Sequence, residues 1–115
     1  MEHLRVYRIL PAADADAAEK AGVFLGSALD QQHGFIHLSG AHQVRGTLAR
    51  YFAGRQDLVL LAIETASLGD LRWEISRDDM LFPHLYENLP WSAVVARWPI
   101  TVGEDGTATL PAEIA

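Results

Sequence analysis

The feature that most constrains the fold is the apolar run LVLLAI at residues 58–63, inside the segment DLVLLAIE at 57–64. The run is too short for an isolated helix and is rich in branched residues. A strand that is apolar at every position is typical of the interior of a sheet. The segment therefore predicts a central strand over 57–64.

Shorter stretches alternate apolar and polar residues and predict further strands over 4–10, 34–39, 71–76, 81–86 and 93–102. Residues 12–20 predict a short helix, because Pro11 precedes them and Gly22 can form the C-cap. A second helix is predicted over 41–54, with Ser39 as its N-cap and Gly54 at its end.

Residues 26–34 have turn residues and no periodicity, so we expect a loop there. Strands clearly outnumber helices and do not alternate regularly with them. This order predicts an α+β fold, with a mainly antiparallel, bent or split sheet and two or so short helices.

The chain of 115 residues is the usual size of one domain, so we expect a single domain over 1–115. The sequence GEDG at 103–106 begins a C-terminal tail, 103–115, that we expect to be loosely held.

Composition excludes several classes of function. The chain has no cysteine, which removes disulfides, thiolate metal sites and a cysteine nucleophile. The net charge of −6 and the absence of a Lys/Arg cluster argue against nucleic-acid binding. No apolar stretch approaches the roughly 20 residues of a membrane span, and the N-terminus lacks the pattern of a signal peptide. We expect a cytoplasmic protein that binds a small polar ligand.

Polar residues on three predicted strands alternate with apolar residues. They come in pairs spaced two apart: His37 and Ser39, Arg72 and Glu74, His84 and Tyr86. Such residues can simply face water on the open side of a sheet. The aromatic residues Phe35, Trp73 and Phe82 accompany them, however, and aromatic walls with a few convergent polar groups are typical of a ligand cleft.

Two other site chemistries have weaker support. His33 and His37, with His84 and Glu74, could hold a divalent metal, but Gly34 separates the first pair and no metal-binding helical motif is present, so no metal is expected. Ser39 is more simply a helix cap than a nucleophile, because the chain has no G-x-S-x-G turn.

The segments GFIHLS, LARYFAG, DLVLLAIE, LRWE and FPHLY, in this order, resemble the small bacterial family named domain of unknown function 952. The resemblance runs from Tyr7 to about Pro99. The chain departs from the family pattern at Gly40, where threonine is usual, at 78–79, where two aspartates replace a glycine pair, and at Glu87, which replaces a glycine. The last change argues against a family role for Glu87.

That family is similar in fold to the ADP-ribosyltransferases, which bind NAD in a cleft between two halves of a split sheet. The resemblance implies that His37 holds a ribose hydroxyl, that the backbone beside it binds the nicotinamide amide, and that Ser39 belongs to the cofactor-binding residues. It also implies that Tyr86 or Trp73 stacks on the nicotinamide ring, within a cofactor-binding set that includes Phe35 and Arg72.

Glu74 and His84 are the candidate catalytic residues. A carboxylate stabilises the oxocarbenium-like centre that forms when an N-glycosidic bond breaks, which suits Glu74. His84 can carry a proton near neutral pH. The sequence does not decide between them. It also leaves open an alternative, a non-catalytic nucleotide- or metabolite-binding protein on the same fold.

Overall fold

The structure is a computed structural model, and it describes residues 4–114. Its three-stranded sheet has the order β1-β4-β8, formed by Arg5–Pro11, Leu58–Glu64 and Val94–Ile100. Both pairs of neighbours run antiparallel. The strand predicted over 57–64 is therefore central, as expected.

A second three-stranded sheet has the order β3-β6-β5, formed by Ile36–His37, Leu81–Leu85 and Leu71–Ile75. It is also antiparallel. A short third pairing joins β2 and β7, at Val23–Phe24 and Leu89–Pro90. The prediction of a small α+β domain with mostly antiparallel strands and few helices is confirmed.

Three α-helices accompany the sheets: α1 at Ala12–Ala21, α2 at Ala28–His33 and α3 at Val44–Tyr51. The first follows Pro11 directly and ends at Gly22, whose left-handed φ of 82° lets its N–H bond the carbonyl of Ala18. This agrees with the sequence prediction. Among the described residues no helix is long and apolar enough to cross a bilayer.

The prediction of a loop over 26–34 is wrong, because α2 occupies most of this segment. Ser27 and Asp30 form a capping box, in which the Ser27 hydroxyl accepts the Asp30 N–H and the Asp30 carboxylate accepts the Ser27 N–H. Gly34, with φ of 87°, ends the helix. A helix of six residues is too short to display periodicity, so its caps were its only sequence signal.

The predicted N-cap at Ser39 is also wrong. The Ser39 backbone instead pairs with Tyr7 of β1, with N···O distances of 2.8 and 2.9 Å. Gly40 precedes a 3₁₀ turn at Ala41–Gln43, and the Gln43 side chain accepts the Gly40 N–H at 2.9 Å. Ser39 therefore joins the two larger sheets through its backbone, and it does not cap a helix.

The core lies on both faces of the β1-β4-β8 sheet. Val59, Leu61 and Ile63 point to one side, where they pack with residues of the second sheet such as Ile36 and Leu85. Leu58, Leu60 and Ala62 point to the other side, among the following residues: Val44, Leu48, Ile100, Val102 and Leu110. Two-sided burial explains why this strand has no polar alternation.

The segment after β8 packs on the second of these core clusters. Val102 pairs with Ala108 in an isolated bridge, and Leu110 is buried. Near its end, the Glu113 carboxylate accepts hydrogen bonds from Tyr7 at 2.7 Å and from Arg5 at 2.9 Å. The last residue, Ala115, lies outside the described part of the chain.

Asp78 and Asp79, which stand where the family resemblance implies glycines, have φ angles of 58° and 57°. Both angles lie in the left-handed region that glycine adopts at no steric cost and aspartate tolerates better than most residues. Glu87, the third departure, accepts the N–H groups of Gly69 and Asp70 at 2.9 and 3.1 Å. It therefore fastens the turn that enters β5.

Candidate active site

The register of the second sheet places three polar side chains in one row. His84 on β6 lies opposite His37 on β3 and opposite Arg72 on β5. Because side chains alternate between faces, Glu74 and Tyr86 share this face. The predicted convergence of polar residues from three strands is therefore present in the structure.

Phe35 packs over the middle of this row. Its ring stacks on the His84 imidazole with centroids 4.0 Å apart and an interplanar angle of 22°. The Phe35 ring also lies 4.7 Å from His37 and 5.3 Å from Tyr86, centroid to centroid. His84 is only 4% exposed, so its ring is fixed between this aromatic neighbour and the sheet.

Glu74 connects His84 and Tyr86 through one oxygen. Its Oε1 accepts a hydrogen bond from the Tyr86 hydroxyl at 2.6 Å and lies 2.8 Å from Nδ1 of His84. The bonds from Tyr86 and His84 lower the pKa of Glu74, and the same contact raises the pKa of Tyr86. The ionised carboxylate thus holds the proton of neutral His84 on Nδ1 and leaves the lone pair on Nε2.

Arg72 lies at the outer side of this group. Its guanidinium is 4.4 Å from the centroid of the Tyr86 ring and pairs with Asp70 at 2.9 Å. Both members of the ion pair are about half exposed, with side-chain exposures of 56% and 45%. Arg72 therefore supports the Tyr86 ring from the solvent side.

His37 has its own carboxylate partner, Asp30 of α2. Asp30 is 2% exposed, and its Oδ1 lies 2.6 Å from Nδ1 of His37. Arg8 of β1 completes the group with an ion pair of 2.9 Å to Asp30 and a hydrogen bond of 2.9 Å to the His37 carbonyl. Burial acts to raise the pKa of Asp30, but the bonds from His37 and Arg8 outweigh it and hold this pKa well below its usual range.

Sequence reasoning missed Asp30 and Arg8. Asp30 belongs to the segment interpreted as a loop, and its only sequence signal was the serine three residues before it. Arg8 lies on a strand whose neighbouring residues Val6, Tyr7 and Ile9 are all buried, so alternation did not distinguish it.

A second imidazole extends the Asp30–His37 pair towards solvent. Nε2 of His37 lies 2.9 Å from Nδ1 of His33, which is exposed on the last turn of α2. When Asp30 accepts the Nδ1 proton of neutral His37, the Nε2 atom accepts the Nδ1 proton of His33. The three side chains thus form a hydrogen-bonded chain from a buried carboxylate to the surface.

A cleft of about 530 Å³ is lined by residues of β1, α2, β3, β6 and α3. Both histidines of the row line it, and so do Arg8, Ser39, Arg77 and Tyr51. Its volume falls within the range of about 300–1,000 Å³ that is usual for small-molecule sites.

The predicted site residues divide into three groups. His37, Ser39 and His84 line the cleft. Glu74, Tyr86, Phe35 and Arg72 form the shell behind His84 and do not line the cleft itself. Trp73 packs against the hydrophobic core, because strand alternation turns it away from Glu74.

Ser39 is buried in the wall, and its hydroxyl lies 3.3 Å from that of Thr47 on α3. Within residues 4–114, no three His, Asp or Glu side chains are grouped as metal ligands would be. The arrangement is therefore two histidines facing a cleft, each with Nδ1 fixed by a carboxylate.

Two solved structures of protein CC0527 from Caulobacter crescentus are similar to this one. Its crystal structure is 45% identical in sequence, with a TM-score of 0.85 over 91% of this chain and 93% of that chain. Its solution NMR structure is 46% identical, with a TM-score of 0.79 over 90% of each chain. No curated protein matches the chain. Residues 9–97 match the family described as "Protein of unknown function (DUF952)", and the chain belongs to that family.

Proposed function

We propose that the cleft binds NAD and that the protein carries out ADP-ribosyl-transfer-like cleavage of its N-glycosidic bond. The observation that carries the proposal is the pair of cleft histidines, each fixed at Nδ1 by a carboxylate at 2.6 or 2.8 Å. Fixed imidazoles at the wall of a cleft are suited to hold hydroxyl groups and to move protons.

The aromatic residues of the cleft support a dinucleotide as its ligand. The cleft has aromatic walls from Tyr51, Phe52 and Phe82, which suit flat rings. His37 lines the same cleft, and a ribose hydroxyl would bind at its Nε2 atom in place of His33. NAD would supply the reactive glycosidic bond, and the chain's own residues would orient it and exclude water.

The proton chemistry assigns different roles to His84 and Glu74. Nicotinamide leaves NAD as a neutral molecule, so the leaving group needs no proton. The proton to be moved is that of the attacking hydroxyl or water. His84 lines the cleft, and its Nε2 atom would act as the base that accepts this proton. Glu74 is then a positioning residue that acts through His84, fixing its tautomer and supplying negative charge behind it.

A second candidate is nucleotide binding without turnover. It is favoured by the position of Glu74, whose Oε1 is shared by His84 and Tyr86 and which does not line the cleft. In that case no glutamate would stabilise an oxocarbenium centre directly, and the same cleft would hold the ligand intact.

The test is calorimetric titration with NAD, followed by a nicotinamide-release assay on the same sample. We expect His37→Ala to abolish binding, and His84→Ala to lower release about 100-fold or more with little change in affinity. Glu74→Gln should lower release and shift its pH profile, since the histidine loses its charged partner.

The matched control is His42→Ala, because His42 is exposed and lies outside the cleft. It should bind and release like the wild type. Heat of binding without nicotinamide release would replace the enzyme by the second candidate, and no binding at millimolar NAD would overturn the NAD proposal.

A further inference from the structure

Arg77 is a second positively charged residue that lines the cleft, besides Arg8. It lies in the 3₁₀ turn Arg77–Asp79 between β5 and β6, and its side chain is only 16% exposed. The guanidinium carbon lies 5.0 Å from the centroid of Phe82 and 5.5 Å from that of Tyr51. Two aromatic rings therefore hold the guanidinium at the wall of the cleft.

Its charge is poorly neutralised by the protein. The acidic partner of Arg77 is Asp78, at 3.7 Å, which is 66% exposed and also lies 3.9 Å from Arg50. Such a solvated pair is weak. Arg8, the other arginine that lines the cleft, has the buried Asp30 at 2.9 Å. Of these two arginines, Arg77 is the one whose charge is available to a ligand.

Several hydroxyl groups lie near the Arg77 guanidinium. The Arg77 NH2 group donates to Thr47 Oγ1 at 3.4 Å, and that oxygen lies 3.3 Å from Ser39 Oγ. Ser76, next to Arg77 in sequence, also lines the cleft. A planar guanidinium fork beside hydroxyl donors is a common arrangement for binding phosphate oxygens.

We infer that Arg77, Thr47 and Ser39 form an anion subsite that binds a phosphate group of the cleft ligand. The inference rests on the proposed function, and it assigns the residues that would bind the pyrophosphate group of NAD. It places this pyrophosphate between α3 and the β5–β6 turn, and the reacting ribose near His37 and His84.

The test is a titration of the full chain with inorganic pyrophosphate, in which binding is measured from chemical-shift changes in the amide NMR spectrum of the protein. We expect shifts around Thr47 and Arg77 in the wild type, and at least about tenfold weaker binding in Arg77→Gln, as expected for loss of a charge-assisted contact. The spectrum itself reports whether the variant is folded.

The matched control is Arg50→Gln. Arg50 also lies over Tyr51, at 5.8 Å, and also lies within 4 Å of Asp78, at 3.9 Å, but it does not line the cleft. Its affinity for pyrophosphate should stay within about twofold of the wild type. If Arg77→Gln and Arg50→Gln weaken pyrophosphate binding equally, the anion is attracted by positive charge in general. That result would overturn the subsite.

Thr47→Val is the second variant, because it removes one hydroxyl and leaves the stacked guanidinium in place. Weaker pyrophosphate binding here supports the subsite, while unchanged affinity in both Thr47→Val and Arg77→Gln overturns it. No pyrophosphate binding to the wild type at high millimolar concentration also overturns it.

An NAD titration separates this inference from the proposed function. If pyrophosphate binding depends on Arg77 but NAD does not bind, the NAD function fails and the anion subsite stands. If NAD binds equally to the wild type and to Arg77→Gln, the subsite fails and the NAD function stands.

Discussion

Asp30 is the residue on which the most contacts of the site depend. Its two carboxylate oxygens bind the Arg8 guanidinium, the His37 ring and the backbone N–H groups of His37 and Ser27. It therefore joins β1, α2 and β3 at one buried point. Removing its charge would leave Arg8, whose side chain is 13% exposed, without a carboxylate partner.

Asp30→Asn should lower the free energy of unfolding at pH 7 by about 3 kcal/mol, as expected when a buried ion pair loses one member. Because the pKa of Asp30 is lower in the folded than in the unfolded protein, its stabilisation is present above an unfolded pKa of about 3.9. It is lost as the pH falls through the folded value. Urea unfolding of both proteins at several pH values measures this difference.

The difference between Asp30→Asn and the wild type should therefore narrow as the pH is lowered below about 4. Asp16→Asn is the control, since Asp16 pairs with Arg97 at 2.6 Å but is 68% exposed, and it should change stability little. A difference that stays constant down to low pH would mean that the Asp30 charge does not stabilise the fold.

At the scale of single residues, strand alternation was enough to predict that His37, Glu74, His84 and Tyr86 share a face. It could not predict Asp30 or Arg77, because both reach the site from short turns and caps. The resemblance implied that either Tyr86 or Trp73 stacks on the nicotinamide ring. The alternation that brings Glu74 to the polar face turns Trp73 towards the core.

At the scale of elements, the helix α3 contains an internal glycine that the fold does not require. Gly46 lies in Val44–Tyr51, is exposed, and has no positive φ angle. A Cβ atom built there would lie 3.7 Å from the Arg77 NH2 group, which is an ordinary contact.

Gly46→Ala should raise the free energy of unfolding by about 0.5–1 kcal/mol, because alanine restricts the unfolded chain and favours the helix. Chemical denaturation of the variant measures the change. Gly106→Ala is the contrasting substitution, since Gly106 has φ of 85° and its Cβ would lie 3.1 Å from Ala49. It should destabilise the protein, and a loss of stability in both variants would contradict the argument for Gly46.

The longer elements were predictable because their patterns are local. The central strand, helix α1 and the strand that carries Glu74 and Arg72 were each predicted within one or two residues. The short helix α2 and the pairing of Ser39 with Tyr7 were not. Helix α2 has only six residues, so its capping residues were its main sequence signal. The pairing of Ser39 with Tyr7 joins residues 32 positions apart, and no local pattern encodes such a contact.

At the scale of the whole molecule, β1 is tied to the end of the described chain through Glu113. Tyr7, which is 4% exposed, donates to this carboxylate at 2.7 Å. Burial and this bond raise the pKa of Tyr7 to about 12.

Tyr7→Phe should lower the free energy of unfolding at pH 7 by about 1 kcal/mol, the usual contribution of such a hydrogen bond. Since the folded pKa of Tyr7 is raised, its contribution is present below an unfolded pKa of about 10 and is lost as the pH rises through about 12. Denaturation from pH 7 to alkaline pH tests this, with Tyr51→Phe as an exposed control.

The difference between Tyr7→Phe and the wild type should shrink above about pH 10. A constant difference would place the effect of Tyr7 in packing and not in its bond to Glu113. Faster hydrogen exchange in residues 108–114 of the variant would show directly that this bond holds the C-terminal segment.

The isolated bridge between Tyr7 and Ser39 also affects how the cleft can change width. It is a reciprocal pair of backbone hydrogen bonds, 2.8 and 2.9 Å long, between the sheet that carries Arg8 and the sheet that carries the two histidines. Any fluctuation that separates these walls must stretch both bonds. Hydrogen exchange of the Tyr7 and Ser39 amides therefore reports on cleft opening. Their protection from exchange should increase when a bound ligand holds the two sheets together.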